Sequence, residues 1–171
     1  MAACSVTFWR SSDAGWGTTS MSLQEEVDLL RRIPVFAKIE SSKLKLLAFT
    51  SERLKYAAKD FIFKQGDPGD AAYIIISGSA EVIVETPMGP LIVATLKDND
   101  FVGEIAILCD VPRTATIQAK TELEALCISK DLFFRLVREF PEMAVEIMRV
   151  LASRIELTTS RLSEAVSDTP E

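Results

Sequence analysis

One 14-residue stretch, Gly103 to Thr116, gathers a glycine, a carboxylate, a short apolar turn, an arginine and two hydroxyls. That set is the right size to enclose one small anion. A bend at Gly103 releases backbone N–H groups toward a ligand. The turn Ile105–Leu108 aims its N-terminal amides, those of Ile105 and Ala106 first, and its positive dipole end at a phosphate. Arg113 is the residue type that grips phosphate through a planar two-pronged contact. Glu104 does not serve the phosphate, because like charges repel. Its natural partners are Arg113 and sugar hydroxyls, which donate to carboxylates. A site that wants phosphate and ribose hydroxyl at this spacing suggests a nucleotide. The plainer readings are an Arg113 paired with Asp110 at the surface, a solvated Glu104, and an Ala115 that is small only for strand packing.

These residues need a scaffold, and the chain supplies its signals in order. Residues 1 to about 20 are rich in Ser, Thr, Gly and Ala, with isolated Phe8, Trp9 and Trp16. They read as a mobile tail whose tryptophans are candidates for docking. Ser22 with Glu25 three residues later starts a helix over 22–33, with Leu23, Val27 and Leu30 on one face and Pro34 at its end. Ser41 or Ser42 caps a second short helix through Leu46, Leu47 and Phe49. From 52 to 128 the pattern changes to seven or eight short strands: Leu54–Tyr56, Phe61–Phe63, Tyr73–Ile75, Ala80–Val84, Leu91–Val93, Thr114–Gln118 and Leu123–Ile128. Gly-Asp, Pro-Gly and Ser-Gly turns separate them. Asp131 caps a helix, and Pro141 opens a last one over about 141–165. The fold class is therefore α+β: an antiparallel β-roll, or jelly-roll barrel, flanked by helices. The domain spans 22–165, with a short tail at 166–171.

Composition narrows the chemistry. The chain has 171 residues, is 48% hydrophobic and carries a net charge of −6, enough for one domain with a full core. An acidic chain is a poor partner for DNA phosphates. With no histidine, the usual general base and the commonest metal ligand are missing. Nothing resembles a nucleophile–base pair, so the expectation is a binding protein without cofactor or metal rather than an enzyme. Cys4, Cys109 and Cys127 are widely spaced and suit a reduced, cytoplasmic setting. No apolar run reaches the ~18 residues that span a bilayer.

Two motifs carry a family resemblance. Gly103-Glu104-Ile105-Ala106-Ile107, four residues, then Pro112-Arg113-Thr114-Ala115-Thr116 resembles the phosphate-binding cassette of cyclic-nucleotide-binding domains. Gly66-Asp67-Pro68-Gly69-Asp70, followed by Tyr73-Ile74-Ile75 and closed by Gly78, resembles the turn and strand upstream of it. The resemblance covers roughly residues 23–165. It implies a cyclic mononucleotide ligand, cAMP or cGMP. Arg113 would hold the exocyclic phosphate and Glu104 the ribose 2′-hydroxyl, while Gly103, Ile105, Ala106 and Ala115 complete the cradle. Thr114 stands where the family often has Ala for cAMP preference and Thr where cGMP is accepted. The hydroxyl could meet the guanine 2-amino group or simply add a phosphate contact. Lys59 and Asn99 occupy turns where the family commonly has Gly.

In the last helix, Ala144, Met148, Leu151, Ile155, Thr158 and Leu162 alternate by four and three, a heptad seam. The segment Arg154–Thr159 is similar to the dimerisation helix of bacterial cAMP receptor proteins. That similarity makes Thr158 and Thr159 purine-capping candidates and residues 144–162 a homodimer seam; packing on its own barrel is the alternative. Relatives of that kind continue into a helix-turn-helix, whereas this chain stops at Glu171, so no DNA reading by that route is expected. The implied function is a cyclic-nucleotide sensor whose last helix closes as a lid and signals to an effector protein. The competitor is a ligand-free β-roll acting as a scaffold.

Overall fold

A computed structural model describes residues 22–167, except for the side chains of 161, 162 and 164–167. The expected 1–20 tail and residues 168–171 lie outside the described residues, as does the side chain of Leu162 in the seam.

Helix α1 (Leu23–Arg32) starts with a reciprocal capping box: the Glu25 amide donates to Ser22 Oγ at 3.3 Å, and the Ser22 amide donates to Glu25 Oε2 at 2.7 Å. Two of the helix's orphan donors are satisfied in this way. The helix buries Val27 and Leu30, while Leu23 stays partly exposed. Ile33 leaves the helix, and Pro34–Phe36 makes one 3-10 turn. Helix α2 (Ser41–Thr50) has Glu40 at its N-cap and no side-chain cap. The serine cap expected there is not formed; Ser41 Oγ instead accepts from the Arg31 guanidinium. Leu44 and Leu47 point inward, while Leu46 and Phe49 point outward.

Eight strands follow: β1 (Glu52–Tyr56), β2 (Phe61–Phe63), β3 (Ala71–Ser77), β4 (Ala80–Thr86), β5 (Gly89–Leu96), β6 (Phe101–Val102), β7 (Thr116–Ala119) and β8 (Leu123–Ser129). They form two antiparallel four-stranded sheets, ordered β1-β8-β3-β6 and β2-β7-β4-β5. The expected eight-strand roll flanked by helices is the fold found. Strand β6 has two residues, too few for a period in sequence. The strand expected from Thr114 begins only at Thr116, because Thr114 and Ala115 form a bend.

The first sheet is covered on both faces. Ala72 and Ile74 of β3 and Leu126 and Ile128 of β8 pack outward against Val27, Leu44, Phe133, Met143 and Ile147. Ala71, Tyr73, Ile75, Leu123, Ala125 and Cys127 pack inward between the sheets with Ile62, Ile117 and Leu96. Side chains alternate across a strand, so two-sided burial turns β3 and β8 into continuous apolar runs.

Helix α3 (Glu104–Cys109) sits between β6 and β7. Helix α4 (Lys130–Glu139) is capped by Ser129, whose Oγ accepts from the Leu132 amide, and not by Asp131. Helix α5 (Pro141–Ser167) runs two residues beyond the expected end. It is anchored by Met143 and Ile147, with Val150 and Leu151 alongside. In the heptad seam, Met148 and Ile155 are 59% and 68% exposed. Met143, Ile147 and Val150, which pack on the domain, each stand one position before a seam residue, and Leu151 belongs to both faces. No helix of the described residues is long and apolar enough to cross a membrane.

Candidate functional site

The cassette is built by the turn before β3. Gly66 N–H donates to the Arg113 carbonyl at 2.9 Å, and Arg113 N–H donates to the Asp67 carbonyl at 2.8 Å. Gly69 lies against α3 so closely that an added Cβ would fall 2.4 Å from the Ala106 Cβ. The two motifs, some forty residues apart in sequence, are therefore one hydrogen-bonded unit.

Gly103 takes φ +89°, and an added Cβ there would stand 2.6 Å from Arg113 Nη1. The left-handed conformation suits glycine, and the missing side chain leaves space for the guanidinium. Arg113 Nη1 donates to the Gly103 carbonyl at 3.2 Å. The guanidinium lies over the Phe63 ring, 4.1 Å from its centroid, with Tyr73 further off at 5.8 Å. Asp70 is its nearest carboxylate, at 3.6 Å. Arg113 is 3% exposed, and its buried Nε has no hydrogen-bond partner. Desolvation lowers its pKa, and Tyr73 and Asp70 oppose the shift. Asp110, its partner in the plainer reading of the sequence, is elsewhere, 2.5 Å from Lys130 Nζ at the start of α4.

Glu104 is buried, 2% exposed, and its ion-pair partner is not Arg113. Arg154 reaches back from α5 and donates through Nη1 to Glu104 Oε1 at 2.6 Å, and through Nη2 to the Phe101 carbonyl. Burial raises the Glu104 pKa; the Arg154 charge, and then Arg113 across space, pull it back. Arg154 is the functional residue that sequence reasoning passed over. It stands one turn before Thr158 and bears no local mark distinguishing it from Arg149 or Arg161.

These groups line one cavity of about 620 Å³. Gly103, Glu104, Ile105, Ala106, Arg113, Thr114 and Ala115 form one side, and Arg154, Leu157 and Thr158 of α5 form another. Val82 and the apolar β5 run Leu91–Ala94 form the remaining wall. The orphan amides of a helix's first turn have no intrahelical partner, and in α3 that turn borders the cavity. Thr158 is at the wall, but Thr159 is not among the lining residues. Both threonines spend their hydroxyls on their own helix, donating to the Arg154 and Ile155 carbonyls at 2.7 and 2.9 Å. Such back-bonding is common for threonine in helix interiors. Among the described residues, no group of three acidic, histidine or cysteine side chains could hold a metal.

A two-sheet roll whose buried arginine and buried carboxylate line one largely apolar cavity has the make-up of a domain that binds a small ligand. The family model "Cyclic nucleotide-binding domain" matches residues 53–140, and the chain belongs to that family. It is 36% identical over 108 residues to a cAMP-dependent protein kinase regulatory subunit of Emericella nidulans, covering 63% of this chain and 26% of that protein. It is 29% identical over 145 residues to a CRP-like cAMP-activated global transcriptional regulator of Mycobacterium tuberculosis, covering 84% of this chain and 65% of the relative. The chain thus spans about a quarter of one relative's length and just under two thirds of the other's. The Thermus thermophilus catabolite activator protein superposes with a TM-score of 0.69 at 25% identity, over 78% of this chain and 63% of that one.

Proposed function

We propose that this chain is a cyclic-nucleotide sensor. The cyclic phosphate sits on Arg113 and the first-turn amides of α3, and Glu104 accepts from the ribose 2′-hydroxyl. The purine lies between the β5 wall and Leu157 and Thr158 of α5. A single observation carries this reading: Arg113 is buried, its Nε unpartnered, at the edge of a cavity with room for an anion. Asp70, 3.6 Å away and half exposed, compensates the buried charge only in part, and an anionic ligand completes the compensation. The relatives' names support cAMP, and Thr114 at the cavity wall leaves cGMP open as a second ligand.

The mechanism is a population shift of α5. Arg154 ties α5 to Glu104, the residue assigned to the ribose. A ligand hydroxyl arriving at Glu104 changes what Arg154 holds, and α5 carries that change to an effector protein. The exposed seam of Met148 and Ile155 supports either a homodimer through residues 144–162 or effector docking there. No catalytic step is assigned to any residue of the site.

Calorimetric titration with cAMP and with cGMP tests the reading, with Arg113→Ala as control. Binding at micromolar or tighter Kd, about −8 kcal/mol, should fall by about 2–5 kcal/mol in the variant because the phosphate loses a buried partner. No heat with either nucleotide would make the chain a ligand-free scaffold.

A further inference from the structure

Arg113 is buried, yet its nearest carboxylate, Asp70, stands 3.6 Å off and is half exposed. That distance is beyond hydrogen-bond reach. Two other arginines are served better: Arg154 has Glu104 at 2.6 Å, and Arg53 has Glu124 at 3.3 Å. What faces Arg113 at short range is an aromatic ring, with the guanidinium carbon over Phe63 at 4.1 Å. The face of an aromatic ring is negative and attracts a cation, more strongly where water is excluded. It also consumes no N–H donor. Nη1 donates to the Gly103 carbonyl, and Nε has no hydrogen-bond partner. The ring thus holds the charge and leaves donors for an anion.

The backbone brings Phe63 to this position. Phe63 pairs with Ile117 of β7 across a register shift. Two residues on, the Gln65 amide donates to Thr116 Oγ1 at 2.9 Å, and the Gly66 amide donates to the Arg113 carbonyl. The end of β2 therefore runs along the last residues of the cassette. Tyr73 of β3 braces the Phe63 ring, with centroids 5.7 Å apart and planes at 38°, and the ring packs on the core between the sheets. Phe63 also borders the cavity. Arginine is a long side chain with many rotamers, and ordering it at the moment of binding costs affinity. A residue that orders it beforehand removes that cost.

We propose that Phe63 is the positioning residue of the anion site, its ring face holding Arg113 at the phosphate position before ligand arrives. This role rests on the reading of the cavity as a cyclic-nucleotide site. Without the ring, Arg113 turns toward Asp70 and must be reordered by each ligand. The role belongs to the charge distribution of the ring and not to its bulk, so an aliphatic side chain does not supply it.

Titration of the full chain with cAMP, and with adenosine, which lacks the phosphate, tests this. Phe63→Leu should bind cAMP about three- to tenfold more weakly and adenosine as well as the wild type does. Phe63→Tyr keeps a ring face and should retain most of the affinity. Trifluorophenylalanine in place of Phe63 should show the same loss for cAMP alone, because fluorine draws electron density from the ring face while the shape changes little. This route holds even if Phe63→Leu fails to fold. In the ligand-free chain, nitrogen relaxation should show the Arg113 Nε–H rigid in the wild type and mobile in the fluorinated variant. A wild type that binds cAMP, with an affinity unchanged by fluorination, overturns the proposal and leaves the nucleotide reading standing. So does an equal loss for cAMP and adenosine, which makes Phe63 a cavity wall only, or an Arg113 Nε–H equally rigid in both chains. A wild type that binds no cyclic nucleotide overturns the functional reading and this role together.

Discussion

Replacing Arg154 with Met isolates the link between α5 and the cassette. Methionine keeps the aliphatic stem and removes the charge that faces Glu104 at 2.6 Å. Glu104 is 2% exposed, so water cannot take over. Losing one partner of a buried pair costs about 3–5 kcal/mol, but two features reduce that here. Arg154 is itself 34% exposed in its side chain, so solvent already screens part of the interaction. The carboxyl can also escape by binding a proton. From an ordinary value of 4.5, protonation at pH 7 caps the penalty at about 3.4 kcal/mol, since one pKa unit is about 1.4 kcal/mol. A loss of about 2–3 kcal/mol is expected. For a folded unit of this size it lowers the melting temperature by roughly 8 °C. The assay is thermal unfolding of the wild type, Arg154→Met, Glu104→Gln and the double variant at pH 7.5 and pH 5. Adding Glu104→Gln should recover most of the loss, because an amide needs no counter-charge. The loss should also shrink at pH 5, where Glu104 protonates more readily. A variant as stable as wild type at pH 7.5, or a double variant whose losses simply add, would refute the assignment of Arg154 as the counter-charge.

Gly103→Ala should destabilise the domain by about 1–3 kcal/mol, for both strain at positive φ and crowding of Arg113, and should weaken nucleotide binding; an unchanged urea midpoint and affinity would contradict the packing described. Lys59 holds φ +76°, so Lys59→Gly should stabilise by about 0.5–1 kcal/mol, read by urea unfolding; a loss of stability would mean that its side chain does more than turn a corner. Nucleotide affinity should fall as pH drops from 7.5 toward 4.5. Burial raises the Glu104 pKa, and the protonated carboxyl is a poorer acceptor for the ribose hydroxyl. Glu104→Gln should bind more weakly and lose most of that pH dependence, and a slope that persists in the variant would place the titrating group elsewhere.

Much of this architecture was legible because it rests on local chemistry. Ser22 and Glu25 cap each other within one turn, Pro141 starts a helix, and turn residues such as Gly66-Asp67 and Ser77-Gly78 punctuate the strands. The cassette could be read from order and spacing, since Gly103, Glu104 and Arg113 are close in the chain. Other features left no local signal. Strand β6 is too short for a period, and Ser129 capped α4 ahead of the equally plausible Asp131.

What the sequence alone determined was which residue types meet an anion and a sugar, because glycine, carboxylate and guanidinium carry their chemistry wherever they stand. What only the tertiary structure decided was how their charges are balanced. The obvious pairing of Glu104 with Arg113 yields to one with Arg154, fifty residues away, while Arg113 is set against Phe63 and the Gly103 carbonyl. Burial makes an unpaired carboxylate expensive, and which cation reaches it depends on how α5 returns across the roll, a matter of packing that no spacing in the chain encodes.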